Sequence, residues 1–206
     1  MTNIYNDSSC LTKTPKTKKG QETLERIFKA AEEVFEKNGY YNSSISEITK
    51  LAGVATGTFY IYFVDKMSLY RFMLESYGKE LIASSSEAYV GCKSMHDIQV
   101  ATLKAYVNFI VKHKIAYKII LEALYIDYDY FKFYYTSFST QIKMNLDKMK
   151  DAGFLNDVNT ETAAYALMGI YGFVTMKKII FDEQSEVSNE FLEDVVKLIE
   201  KGFFTY

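Results

Sequence analysis

Apolar positions recur at helical spacing along almost the whole chain. Over residues 21–38, Leu24, Ile27, Phe28, Ala31, Val34 and Phe35 fall on one helical face with charges between them. Gly39 follows at once, where a left-handed C-cap is expected. Ser44 and Glu47 form a capping-box pair that opens a short helix over 45–52, with Ile45, Ile48 and Leu51 inward and Gly53 as its stop. A second short helix is expected from 56 to about 63, with Phe59 and Phe63 on one face. Asp65 is the expected N-cap of a long helix from 66 to about 89. Further helical patterns cover 95–112, 115–126, 129–152, 160–181 and 189–203, with breaks near His113 and Gly153 and Ser188 as a cap for the last. The stretch 125–135 is rich in residues of β propensity but lacks sustained alternation. The pattern predicts an all-α chain of about nine helices.

Composition agrees. One Pro and ten Gly in 206 residues leave little turn chemistry for a many-stranded fold, and 49% apolar residues can fill a core. Cys10 and Cys92 are too few for a disulfide framework and read as free thiols in a reducing cytoplasm. Residues 1–20 carry four Lys against Asp7, lack an apolar core and read as a flexible basic leader. The longest nearly apolar run, 163–176, has 14 residues. That is short for ~30 Å of hydrocarbon, so it reads as a core helix, Lys177-Lys178 as a solvated helix end, and no membrane partner is expected. Two His and two Cys lie far apart, with no zinc spacing and no phosphate-binding or nucleophile-elbow motif. No metal, cofactor or catalytic residue is therefore expected, and His96 beside Asp97 reads as surface. Net charge is −2, which by itself does not announce a nucleic-acid partner. Residues 1–66 hold nine Lys and Arg against eight Asp and Glu, leaving 15 against 18 for residues 67–206.

Two short helices around a Gly-containing turn, after a longer supporting helix, are the pattern of a helix-turn-helix, whose second helix enters the major groove of DNA. The run from Gly39-Tyr40 through Ser43-Ser44-Ile45, Ile48, Ala52-Gly53-Val54-Ala55-Thr56-Gly57-Thr58-Phe59-Tyr60-Ile61-Tyr62-Phe63 to Lys66 resembles the DNA-binding signature of TetR-family transcriptional regulators. The resemblance is close over residues 21–66, which it implies to be the DNA-binding domain, with 67–206 as a ligand-sensing and dimerisation domain. It implies that Ser44 caps the first short helix and touches phosphate, that Thr56, Gly57, Thr58 and Ile61 face the groove, and that Tyr60, Tyr62 and Lys66 contact phosphate. Two residues depart from the pattern. Ala55 stands where a Ser N-cap is frequent, and Ile61 where a polar or aromatic residue is common. The second helix offers no Arg, Lys, Asn or Gln for bidentate base readout, so Thr56, Thr58 and Ile61 are expected to read thymine methyls and shape. The other reading of Ile61 is packing at the interface.

Small residues at Ala163, Ala166, Gly169 and Gly172 recur every three positions. The resemblance implies that this helix and the last one form a four-helix bundle with a second copy; the alternative is packing inside one chain. Aromatic residues crowd 106–138. Since the family keeps an inducer pocket there, Tyr106, Phe109, His113, Tyr117, Tyr125, Phe138 and Tyr171 are candidate ligand contacts, suited to an apolar or aromatic small molecule. The resemblance thus implies a cytoplasmic, nucleoid-associated homodimeric repressor that binds a palindromic DNA operator and is released by a small-molecule effector. The alternative is a DNA-binding protein of the same fold that recruits a protein partner without an inducer. A sealed cavity within residues 100–175 separates the two.

Overall fold

The computed structural model describes residues 10–88 and 90–203. Its helices are α1 (Lys18–Asn38), α2 (Ile45–Ala52), α3 (Thr56–Tyr62), α4 (Lys66–Ala88), α5 (Met95–Lys112), α6 (Lys114–Ile126), α7 (Tyr128–Asp151), α8 (Thr160–Met176) and α9 (Asn189–Phe203). α8 ends in a π-helical turn, Lys177–Phe181. The fold is all-α.

Several ends follow the local chemistry. The Ser44 hydroxyl accepts from the Glu47 N–H while the Glu47 carboxylate accepts from the Ser44 N–H, completing the capping box. Gly53 is left-handed at φ 63°, ψ 39°. Gly39 also has positive φ, 71°, but its ψ of 171° makes it an extended exit rather than the expected left-handed cap. The Asp65 carboxylate accepts from the Ser68 N–H at 2.7 Å and starts α4. α1 begins three residues before the expected 21, because the Thr17 hydroxyl accepts from the Gly20 N–H. Of the expected basic leader, residues 1–9 lie outside the described residues. The part beyond them is held: the Thr12 N–H donates to the Tyr62 carbonyl at 2.8 Å, and Pro15 is buried.

Contacts divide the chain into two units. The first holds residues up to 80 together with 115–131; the second holds 81–114 and the residues from 132 onward. Residues 67–80 and most of α6 thus pack with the helix-turn-helix segment. Their side chains explain it. Tyr70, Phe72, Met73 and Tyr77 of α4 are buried, and so is Ile119 of α6. Phe28 meets Phe72 and Tyr77 edge-on at 6.1 and 5.6 Å, and Phe35 meets Tyr70 at 5.7 Å. Such pairs add ~0.5–1.5 kcal/mol each beyond the area they bury. The aromatic core of this molecule therefore lies around the helix-turn-helix. In the 106–138 stretch Tyr125, Tyr128 and Phe133 are exposed instead.

In the second unit α5 packs against α8 and α9. His96 of α5 sits between two carboxylates of α9, Glu193 (3.0 Å) and Glu200 (2.9 Å). The apolar α8 is not the core helix that its composition suggests. Thr160–Phe181 is long and apolar enough, by length and composition, to cross a membrane, and only 17% of its most apolar stretch is buried in the chain.

Candidate nucleic-acid interface and cavity

α3 buries Phe59 and Tyr62 and turns Thr56, Gly57, Tyr60 and Ile61 outward. The exposed side chains fall at 56, 57, 60 and 61, one face of a 3.6-residue helix. A Cβ at Gly57 would meet nothing within 4 Å, so the helix presents open backbone at that point. Thr58 is half-buried at the edge of the face. Ala55 gives no side-chain cap, as its chemistry requires. The face carries hydroxyls, one phenol and one aliphatic group, and no charge. Lys13, Lys16, Lys18, Lys19 and Lys50 are among the exposed cations of this unit.

Three of the residues expected at phosphate, Ser44, Tyr62 and Lys66, make hydrogen bonds within the chain. Tyr62 is buried, and its hydroxyl donates to the Gly20 carbonyl at 3.2 Å, tying α3 to α1. The Lys66 ammonium donates to the Tyr40 and Ser43 carbonyls, both at 2.6 Å, and lies 4.3 Å from the centre of the Tyr40 ring. Partial burial pushes the Lys66 amine below its ordinary range, with the Glu47 charge opposing. Lys66 is thus a brace across the turn between α1 and α2. Ser44 is exposed, but its hydroxyl donates to the Glu47 carboxylate at 2.7 Å. Those hydrogen bonds hold the Glu47 carboxyl below the usual range. Two cations escape the sequence pattern. Arg26 donates to the Ala52 carbonyl at the end of α2, and Lys118 of α6 donates to the Phe35 and Glu36 carbonyls at the end of α1. Both cover carbonyls that a helix end leaves unpaired.

The second unit holds a cavity of about 580 Å³ that is open to solvent on one side. Leu81, Ile82, Ser85 and Ser86 of α4 and the faces of α5, α7 and α8 line it. Tyr106, Phe138 and Tyr171 are among the lining residues; Phe109, His113, Tyr117 and Tyr125 are not. Phe109 is buried against the His113 ring, and Tyr125 is 82% exposed, its carbonyl accepting from the Tyr41 hydroxyl. Aromatic identity did not distinguish these from lining positions, and Gln99, which does line the cavity, was missed for the same reason. No group of three or more His, Cys, Asp or Glu side chains among the described residues could hold a metal ion.

The small-residue stripe of α8 does not form one face. Ala163 is buried within the chain, Ala166 is half-buried, and Gly169 is exposed. A Cβ on Gly172 would sit 3.8 Å from the Tyr106 hydroxyl. Steps of three residues drift around a helix of 3.6 per turn. Steps of four keep the outer face, which is Tyr165, Gly169 and Phe173.

Residues 27–72 match the family model of the bacterial regulatory proteins of the tetR family. These 46 residues, about a fifth of the chain, carry the tetR-family domain. The family comprises DNA-binding transcription regulators and not enzymes. Over 41 residues the chain is 54% identical to the fatty acid metabolism regulator protein of Bacillus subtilis, a match covering 20% of this chain and 21% of that one. Curated relatives are thus matched over about a fifth to a quarter of their length. Among solved structures, the fatty acid degradation regulator of Bacillus halodurans superposes with a TM-score of 0.75 at 18% identity, over 90% of this chain and 96% of that one. A TetR-family transcription regulator of Marinobacter aquaeolei gives 0.75 at 12% identity, over 91% and 98%. At those identities the shared property is the fold.

Proposed function

We propose that the protein is a cytoplasmic transcriptional repressor that binds a palindromic operator as a homodimer and is released by a small-molecule effector. The outward face of α3 carries the DNA-binding part of the reading, with Thr56, Gly57, Tyr60 and Ile61 in the major groove and Thr58 at its edge. With no bidentate base reader on that face, Thr56 and Ile61 favour thymine methyls, and the operator is rich in A·T pairs. Selection from random duplex DNA tests this. An A·T-rich inverted repeat is expected, and a G·C-rich core opposite α3 overturns it.

The uncovered face of α8 supports the homodimer. Phe173 is 71% exposed and Phe181 65%, with Tyr165 and, on α9, Leu198 also outward. Apolar surface of that kind is covered in a soluble assembly, and a second copy of the same face does so with closed two-fold symmetry. Sedimentation of the wild type is expected to give a dimer and of Phe173→Glu a monomer. A monomeric wild type, or one that partitions into vesicles of neutral phospholipid, contradicts the homodimer.

The cavity favours an effector-responsive protein over one that only recruits a partner. α4 carries both cavity-lining residues (Leu81, Ile82, Ser85 and Ser86) and the Lys66 brace at its start. A ligand that prefers one position of α4 shifts the population of DNA-binding arrangements by its differential affinity. The high identity to a fatty acid regulator is confined to 41 residues, a fifth of the chain, so it carries no argument about the effector.

A further inference from the structure

Gln99 of α5 lines the cavity, is 6% exposed, and has no hydrogen-bond partner for either its Oε1 or its Nε2. A buried amide left in that condition is unfavourable until something completes it. Other polar lining groups differ: the Thr102 hydroxyl, one turn along α5, already donates to the Ile98 carbonyl at 2.7 Å. A side-chain amide presents an acceptor and donors side by side. Its complement is a group that also donates and accepts side by side, such as a carboxamide, lactam or carbamate.

The charge of that group is constrained by what surrounds it. No Asp or Glu lines the cavity, and its one Lys, Lys148, is exposed. An ammonium buried there would meet no counter-charge. A carboxylate at Gln99 would exchange its hydration for a single amide. The body of the ligand faces Ile98, Phe138, Leu146, Met149, Leu167 and Met168, all apolar. The volume falls in the ~300–1,000 Å³ range of sites for drug-sized molecules.

We propose that the cavity takes a neutral, mainly apolar molecule bearing one amide-like donor–acceptor pair, and that Gln99 is the residue that reads this pair. The proposal rests on the effector-responsive reading above. Its test uses four probes with one aliphatic body: dodecanamide, methyl dodecanoate, dodecanoate and dodecylammonium. Binding to the full chain is read by thermal shift and by equilibrium dialysis at pH 8. Dodecanamide is expected to bind about ten-fold or more tightly than either charged probe, as the loss of a hydrogen-bonded pair implies. Gln99→Leu is expected to unfold at the same or a higher temperature, to lose about ten-fold in dodecanamide affinity, and to change little toward methyl dodecanoate. Gln99→Glu is expected to move the preference to dodecylammonium, which keeps the test decisive if the Leu variant fails to fold. Equal dodecanamide binding by wild type and Gln99→Leu overturns the proposal. So does a preference of the wild type for a charged probe, or no binding of any probe. DNA retention by the ligand-free protein is measured in parallel: its loss counts against the DNA-binding reading, not against the role of Gln99.

Discussion

Replacing Lys66 by Met separates a brace from a phosphate contact. The ammonium makes two hydrogen bonds of 2.6 Å to the Tyr40 and Ser43 carbonyls. A hydrogen bond to a charged group contributes ~1.5–3 kcal/mol net, and the cation over the ring adds ~0.5–1. Desolvation, which also depresses the amine, takes part of this back, and water reaches the half-buried site once Nζ is gone. A loss of about 2–3 kcal/mol remains. For a chain of this size ~2–4 °C of melting temperature accompany each kcal/mol, so Lys66→Met is expected to melt roughly 5–10 °C lower by circular dichroism. The second readout is the salt dependence of DNA affinity by fluorescence anisotropy, well below the melting temperature. A residue that neutralises one phosphate contributes about 0.9 to the slope of log affinity against log salt. The brace predicts an unchanged slope. A variant that melts within about 1 °C of wild type and loses about one unit of slope per subunit refutes the reasoning.

Tyr62→Phe is expected to cost about 1 kcal/mol of stability, through the lost bond to the Gly20 carbonyl, with little effect on DNA affinity. Tyr60→Phe, at a half-exposed position on the outer face of α3, is expected to leave melting unchanged and weaken DNA binding several-fold; thermal melts and anisotropy on both variants check this, and exchanged phenotypes contradict it. His96 is raised above its ordinary range, first by its hydrogen bond to Glu200 and then by the charges of Glu200 and Glu193. A raised folded value means its contribution is fully present below the unfolded value of about 6.5 and fades as pH climbs through the folded one. The imidazole is 38% exposed, so solvent screening holds this to ~1 kcal/mol or less. The melting difference between wild type and His96→Gln is therefore expected to shrink from about pH 6 to about pH 9, and a difference that grows with pH contradicts the assignment.

What the residues announced in advance were local events. The Ser44–Glu47 box, the Gly53 stop, the Asp65 cap and the uncapped Ala55 all depend on neighbours within four positions, and each stands where the pattern put it. What stayed hidden involves partners that one sequence cannot display. Tyr62 and Lys66 look like hydroxyl and ammonium donors awaiting phosphate, but their acceptors are main-chain carbonyls at Gly20, Tyr40 and Ser43. Leu51, expected inward, is 52% exposed, because Ile48, Thr49 and Ala52 already supply the buried face of α2. The same blindness applies to the cavity: Gln99 sits on an amphipathic helix like any surface glutamine, and only its missing partners mark it.

The membership of α6 in the first unit bears on how a signal could reach α3. Three anchors tie α6 and the turn after it to the helix-turn-helix support. Lys118 donates to the end of α1, the Tyr70 hydroxyl donates to the Ile119 carbonyl, and Arg71 Nε donates to Asp127 Oδ2 at 2.6 Å. Asp127 is almost fully covered in that pair, so the Arg71 contact is screened far less than a surface ion pair. Two of these anchors leave from neighbouring positions of α4, the helix whose later residues line the cavity. A ten-fold change in operator affinity requires only ~1.4 kcal/mol of difference between two arrangements. One charge-assisted bond such as Arg71–Asp127, kept in one arrangement and strained in the other, is of that size. Repression under the proposed function therefore needs no large rearrangement of the first unit, only a ligand whose affinity depends on the position of α4.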